Sequence, residues 1–163
     1  MTGGISLAEA EKNFSYDADS GIVSWKTLRG GRLPGTPAGN STKRYVWIKF
    51  RGQYVSGHHV AWLLHYGEAA GSRIDHVNGN GCDNRIANLR KASQSENSQN
   101  RRTRTDNQTG LKGVQLRPNG TWRARIFLEG RSVNLGHFAT AEEAHNAYAR
   151  EAAVQFGKFA RPL

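Results

Sequence analysis

The stretch from Ile74 to Asn97 leaves little freedom in how it can fold. Ile74 to Val77 is a short β pattern, Asn78-Gly79-Asn80-Gly81 is a run of turn formers, and Ile86 to Ala92 can return as a second strand. Ser93-Gln94-Ser95-Glu96 then has capping-box spacing, where hydroxyl and carboxylate satisfy free backbone donors at a helix start. The expectation is a hairpin followed by a helix; the alternative is a plain polar loop of Asn-Gly and Asp-Asn pairs. A hairpin and helix would gather side chains that the sequence separates. Asp75-His76 is followed after eleven intervening residues by Asn88, and after eight more by Asn97.

These residue types suit hydrolysis of a phosphodiester. Asp75 and Asn97 offer oxygens to a hard divalent cation. His76 is the side chain able to take a proton from water near pH 7.

The segment resembles the motif of HNH endonucleases of the phage and intron homing kind, with Asp-His at its first position. The resemblance implies a ββα-metal fold in which a hairpin and helix wrap one metal ion. It implies His76 and Asn88 as the catalytic pair, His76 activating water and Asn88 holding the hairpin loop. Asp75 and Asn97 follow as metal ligands, with magnesium the expected ion and manganese able to substitute. Cleavage leaving 5′-phosphate and 3′-hydroxyl ends is implied as well.

Composition widens the frame. With 37% of 163 residues hydrophobic, no large single core is expected. One cysteine excludes an intramolecular disulfide and a Cys-x-x-Cys zinc knuckle, so no zinc is expected. The chain shows no membrane-length apolar run and no signal-like start, which points to an intracellular, cytoplasmic protein, in a bacterial or phage-infected cell if the resemblance holds. A formal charge of +10 asks for an anionic partner. Residues 1–57 carry eight Lys/Arg against four Asp/Glu, residues 58–100 four against four, and residues 101–163 eleven against five. The flanks are basic and the centre is balanced. Arginines interleaved with strand residues in the C-terminal part favour nucleic acid over a membrane surface.

That C-terminal part has its own pattern. Trp122, Ala124, Ile126 and Leu128 alternate with Arg123, Arg125 and Phe127, so one sheet face should be apolar and the other mostly basic. Val133 and Leu135 should follow on the core side, with Ser132 and Asn134 facing out. Thr140-x-x-Glu143 should cap a helix with Ala144, Ala147, Tyr148 and Ala152 on one stripe. With Gly110-Leu111-Lys112-Gly113-Val114 and Leu135-Gly136-His137-Phe138, the segment resembles an Apetala-two (ethylene-response-factor) DNA-binding domain. There, three antiparallel strands lie in the major groove, backed by one helix. Arg117, Arg123, Arg125, Arg131 and Asn134 are the candidate DNA contacts, against the alternative of a solvated basic face. The plant domains carry tryptophan where this chain has Asn119 and Asn134, so plant sequence preferences do not transfer.

Several features take quieter readings. His59 is expected to be structural, and His137 and His145 to pack or face water. Tyr45 to Trp62 and Trp122 to Ala144 both read strand, turn, strand, helix, so the N-terminal part should also build a small sheet. Its Lys43, Arg44, Lys49 and Arg51 would then line DNA. Arg101, Arg102 and Arg104 open a polar basic segment read as a linker along the phosphate backbone.

The resulting expectation is an α+β protein: a β-rich module over 1–57, a ββα-metal nuclease over 58–101, a linker over 102–109 and a DNA-binding domain over 110–163. It would be a monomer acting on double-stranded DNA, with no membrane and no obligate protein partner. The rival expectation is a non-catalytic DNA-binding regulator that keeps a degenerate nuclease fold.

Overall fold

The computed structural model describes residues 5–28, 30–42, 44–100, 107 and 109–160. Lys43, Arg101, Arg102, Arg104 and most of the expected linker lie outside the described residues. Among the described residues the chain is mixed α/β, with small antiparallel sheets and four α-helices. It divides into two compact units, Met1–Gln94 and Ser95–Leu163, where sequence boundaries fell at 57, 101 and 109.

In the first unit, helix α1 (Leu7–Asn13) starts at a capping box made by Ser6 and Glu9. Strands β1 (Phe14–Tyr16) and β2 (Val23–Trp25) pair as a hairpin. Strands β3 (Asn40–Ser41), β4 (Val46–Phe50) and β5 (Gln53–Ser56) form an antiparallel sheet, and α2 (Gly57–Tyr66) follows directly, ending at Gly67. Strand alternation sends Ile48 and Phe50 of β4 inward. They join Phe14, Trp25, Val55, Val60, Ile74 and Leu89 in one core. Phe14 packs its ring 4.7 Å from Trp25 and 5.4 Å from Phe50. The N-terminal strands and the central hairpin therefore depend on the same buried surface.

That hairpin is β6 (Arg73–His76) with β7 (Leu89–Ala92), paired Asp75 to Arg90 and His76 to Leu89. The expected second strand was longer. Its first three residues, Ile86–Asn88, form a 3-10 turn instead, because Ile86 donates its N–H to Ala18 O and Asn88 to Arg85 O, away from the β6 partner. Helix α3 (Gln94–Gln99) begins one residue past Ser93.

In the second unit, β8 (Val114–Leu116), β9 (Trp122–Leu128) and β10 (Arg131–Phe138) form an antiparallel sheet with β9 central. Helix α4 (Ala141–Phe156) packs on all three strands and opens with the Thr140–Glu143 capping box. Ala124, Ile126, Ala144 and Ala152 are buried between sheet and helix. Val133 pairs with Ile126 and so faces the core side, yet it remains 39% exposed. At that end of the sheet the core face is open: Leu128 is half-buried and Arg131 exposed on the same side.

Candidate active site

The loop between β6 and β7 is held by its own asparagines. Asn78 Oδ1 accepts from Asn80 N (2.8 Å), and Asn80 Oδ1 accepts from Cys82 N (3.1 Å). These are side-chain turns that asparagine makes readily. Asn88 spans the base of the loop: its Oδ1 accepts from Asn78 N at 2.9 Å and its Nδ2 donates to Asp83 O at 2.7 Å. Asp83 receives Arg85 in a fork at 2.8 and 2.6 Å. That hydrogen-bonded guanidinium is the main cause holding the Asp83 carboxyl down at about 2.

Asp75 and His76 sit at the end of β6, only 4% and 5% exposed. Arg90, opposite Asp75 on β7, donates from Nε to Asp75 Oδ2 at 2.8 Å, and its Nη2 lies 2.7 Å from the same oxygen in an ion pair. The pairing offsets the cost of burying both charges.

His76 Nε2 lies 3.1 Å from Asn84 Oδ1. With the amide so oriented, Nε2 carries the ring proton and Nδ1 is the nitrogen that can accept one. Burial pushes the His76 pKa down, opposed by the Asn84 bond and by the Asp75 and Asp83 carboxylates. Neutral imidazole is thus favoured, as a proton acceptor requires.

Asn84 is itself 3% exposed and is fixed from three sides. Tyr16 Oη donates to its carbonyl at 2.8 Å, and burial pushes that phenol up to about 12, keeping it a donor. A Cβ on Gly21, in the β1–β2 turn, would meet Asn84 C at 2.6 Å and Arg85 N at 2.4 Å. Gly57, opening α2, has Asn84 Nδ2 3.1 Å from where its Cβ would stand.

An aromatic and imidazole cluster flanks His76. The His58 ring lies 5.1 Å from it edge-on, His59 lies 4.5 Å from His58, and Tyr45 lies about 6 Å from both His58 and His76 (5.7 and 6.1 Å). Burial, then the neighbouring His59 and His76, push His58 down to about 3. Its Nδ1 has no hydrogen-bond partner among the described residues. His59 Nδ1 is bonded to Ser56 Oγ, which fits the structural reading.

The structure thus gathers Asp75, His76 and Asn88 on one hairpin. Asn97 is half-buried on α3, in the second unit. Sequence reasoning missed Asn84, Tyr16, Tyr45 and Arg90. Asn84 sits among five other asparagines between residues 78 and 100, with nothing local to single it out. Its signal is contact with Tyr16, 68 residues away.

In the second unit, cross-strand pairing puts Gln115, Arg123 and His137 in one row on the face away from α4, with Arg125 and Asn134 in the next. Arg123 Nη2 donates to Gln115 Oε1 at 2.8 Å. Arg117 stands apart in the β8–β9 turn and Arg131 at the start of β10. Asn119 Oδ1 is used within its own turn, accepting from Thr121. His145 is buried, with Nδ1 3.1 Å from Lys112 O, while His137 is exposed.

A sequence model of the family described as HNH endonuclease matches residues 55–99, the span from the end of β5 through α3. Protein 3.8 of Escherichia phage T7 is 33% identical over 91 residues, 49% of this chain and 75% of that protein. Residues 55–99 are thus an HNH endonuclease domain. A protein of Acanthamoeba polyphaga mimivirus named as an uncharacterized HNH endonuclease is 30% identical over 89 residues, 55% of this chain and 46% of that protein. No solved structure matches significantly.

The HNH match supports a nuclease hydrolase, and that family implies DNA as substrate and a divalent metal ion in use. The fit of such an ion rests on donor chemistry. The buried Asp75 carboxylate is an oxygen donor of the kind a hard divalent ion takes. Among the described residues no three His, Cys, Asp or Glu side chains gather into a metal centre. No helix among the described residues is long and apolar enough to cross a membrane.

Proposed function

We propose that this protein is a homing-type endonuclease that hydrolyses phosphodiester bonds in duplex DNA and nicks one strand as a monomer in the cytoplasm of an infected or bacterial cell. One observation carries the reading: the buried His76 imidazole, its Nε2 bonded to Asn84, beside the buried Asp75 carboxylate on the same strand.

His76 Nδ1 takes a proton from water as the water oxygen attacks phosphorus in line with the bond to O3′. That bond breaks, O3′ leaves and is protonated, and the phosphate stays on the 5′ end. Asn84 fixes the imidazole tautomer, and Asn88 keeps the loop that carries Asn84 in place. Asp75 and Asn97 would hold the divalent ion, which when bound offsets charge on the phosphate and departing oxygen. The second unit supplies recognition in the manner of an Apetala-two domain. Arg123, Arg125 and Asn134 on its outward face read base edges, while Arg117, Arg131 and the basic run Arg101, Arg102, Arg104 meet phosphates.

A non-catalytic DNA-binding regulator is the second reading. The Asp75–Arg90 ion pair favours it, since it engages the carboxylate that would meet the metal. Plasmid nicking by purified protein with magnesium, and its loss with EDTA, separates the two. A regulator would bind DNA and leave it intact under both conditions.

A further inference from the structure

The outer face of the β3–β4–β5 sheet holds a cavity of about 630 Å³ that takes no part in the site above. Its lining includes Trp47, Lys49, Tyr54, Asn40, Arg32 and an edge of Trp25, and no carboxylate. Alternation along β4 explains the face: Ile48 and Phe50 enter the core, so Trp47 and Lys49 point outward. Cross-strand pairing sets Asn40 beside Trp47 and Tyr54 beside Lys49. The connection from β2 to β3 forms the opposite wall. It is strapped to β2 by Trp25 N to Thr36 O at 2.9 Å and Ala38 N to Val23 O at 2.7 Å, and it carries Arg32.

We propose that this cavity receives one unpaired nucleotide of bound DNA, its base stacked on Trp47 and Tyr54 and its phosphate held by Arg32 and Lys49. The inference rests on the reading above that the chain binds DNA. Tyr54 is 61% exposed, and neither Arg32 nor Lys49 forms a salt bridge among the described residues. Aromatic faces beside unpaired cations, with no acid nearby, match a ligand that is flat and anionic. Bases in a duplex present edges and hide their faces, whereas an unpaired base offers a face to stack. The volume falls within the range of small-ligand pockets and is far too small for a double helix.

The test uses the full chain in EDTA, so that DNA is bound and not cut. Two duplexes of one sequence are compared, one carrying a single bulged 2-aminopurine and the other carrying it paired. The expected result is on the order of tenfold tighter binding to the bulged duplex, the usual scale for one stacked base. Quenching of 2-aminopurine fluorescence should accompany it. Trp47→Ala should abolish both effects and Trp47→Phe keep them. Tyr54→Ala, at an exposed position that does not threaten the core, should weaken both. Equal affinity for the two duplexes and unchanged fluorescence in the wild type would overturn the proposal, and intact plasmid nicking in the same preparation would show that the nuclease reading survives. A bulge preference in a protein that never nicks would support the pocket and sink the nuclease reading.

Discussion

Removing the His76 imidazole takes away the proton acceptor and the ring partner of Asn84. His76→Ala should lower nicking by roughly 10²–10⁴-fold, the span for lost acid–base catalysis, with DNA affinity nearly unchanged in a gel shift. Asn84→Ala should also slow nicking, because the ring loses the partner that fixes its tautomer. It carries a signature of its own: the Asn84 bond raises the His76 pKa, so its loss should move the acid limb of the pH–rate profile to lower pH. A limb moving upward would show that Asn84 does not act through His76. His58 makes a prediction about stability. Its folded pKa of about 3 lies below the ordinary value of 6.5, so between these values the unfolded chain binds more protons. The contribution is present above pH 6.5 and is lost as pH falls toward 3, costing about 2 kcal/mol at pH 5. Urea titrations at pH 7 and pH 5 should show His58→Gln losing less stability between them than the wild type.

At the scale of elements, the two strand–turn–strand–helix segments share one device. Arg51-Gly52 and Glu129-Gly130 both have two successive positive φ values, 48° and 79° in the first and 47° and 79° in the second. Each closes a two-residue hairpin, between Phe50 and Gln53 and between Leu128 and Arg131. This is the primed turn whose twist suits antiparallel strands, and asparagine prefers its first position. Glu129→Asn should therefore raise stability by about 1 kcal/mol in chemical denaturation; an equal or lower midpoint would contradict the strain argument. Gly81 shows the opposite constraint. A Cβ there would meet Arg44 O at 2.1 Å and the Tyr45 ring at 2.5 Å. Gly81→Ala should cost about 1–3 kcal/mol by overpacking and reduce nicking, since the displaced Tyr45 flanks His58 and His76.

The apolar and basic alternation of Trp122 to Leu128 fixed both faces of β9, and the two capping residues of Thr140–Glu143 fixed the start of α4, because both are local patterns. The strand pattern over Ile86–Asn88 gives way to a 3-10 turn because the Ile86 and Asn88 N–H groups donate to Ala18 and Arg85. Asn84, Tyr16 and Arg90 were invisible as site residues for a related reason: each matters through a partner on another element. Val133 kept its expected side of the sheet but not its expected burial, since alternation gives direction and says nothing of what covers a face.

For the whole molecule, the charge division is the testable feature. Residues 58–100 carry no net charge, whereas residues 101–163 carry eleven Lys/Arg against five Asp/Glu. Affinity should therefore fall steeply with salt, and each lost phosphate contact should flatten the plot of log affinity against log salt by about 0.9. Arg117→Ala and Arg131→Ala should flatten it, weakening all sequences alike. Arg125→Ala should instead narrow the gap between preferred and random DNA. Identical effects from all three would mean that these arginines are a solvated face. The central claim is that the buried His76 beside Asp75 makes the family fold a working nuclease. Supercoiled plasmid incubated with the wild type and with His76→Ala, each with magnesium and with EDTA, tests it most directly. The account predicts open-circular product from the wild type with magnesium alone. Open-circular product from His76→Ala at the wild-type rate, or from the wild type in excess EDTA, would contradict it.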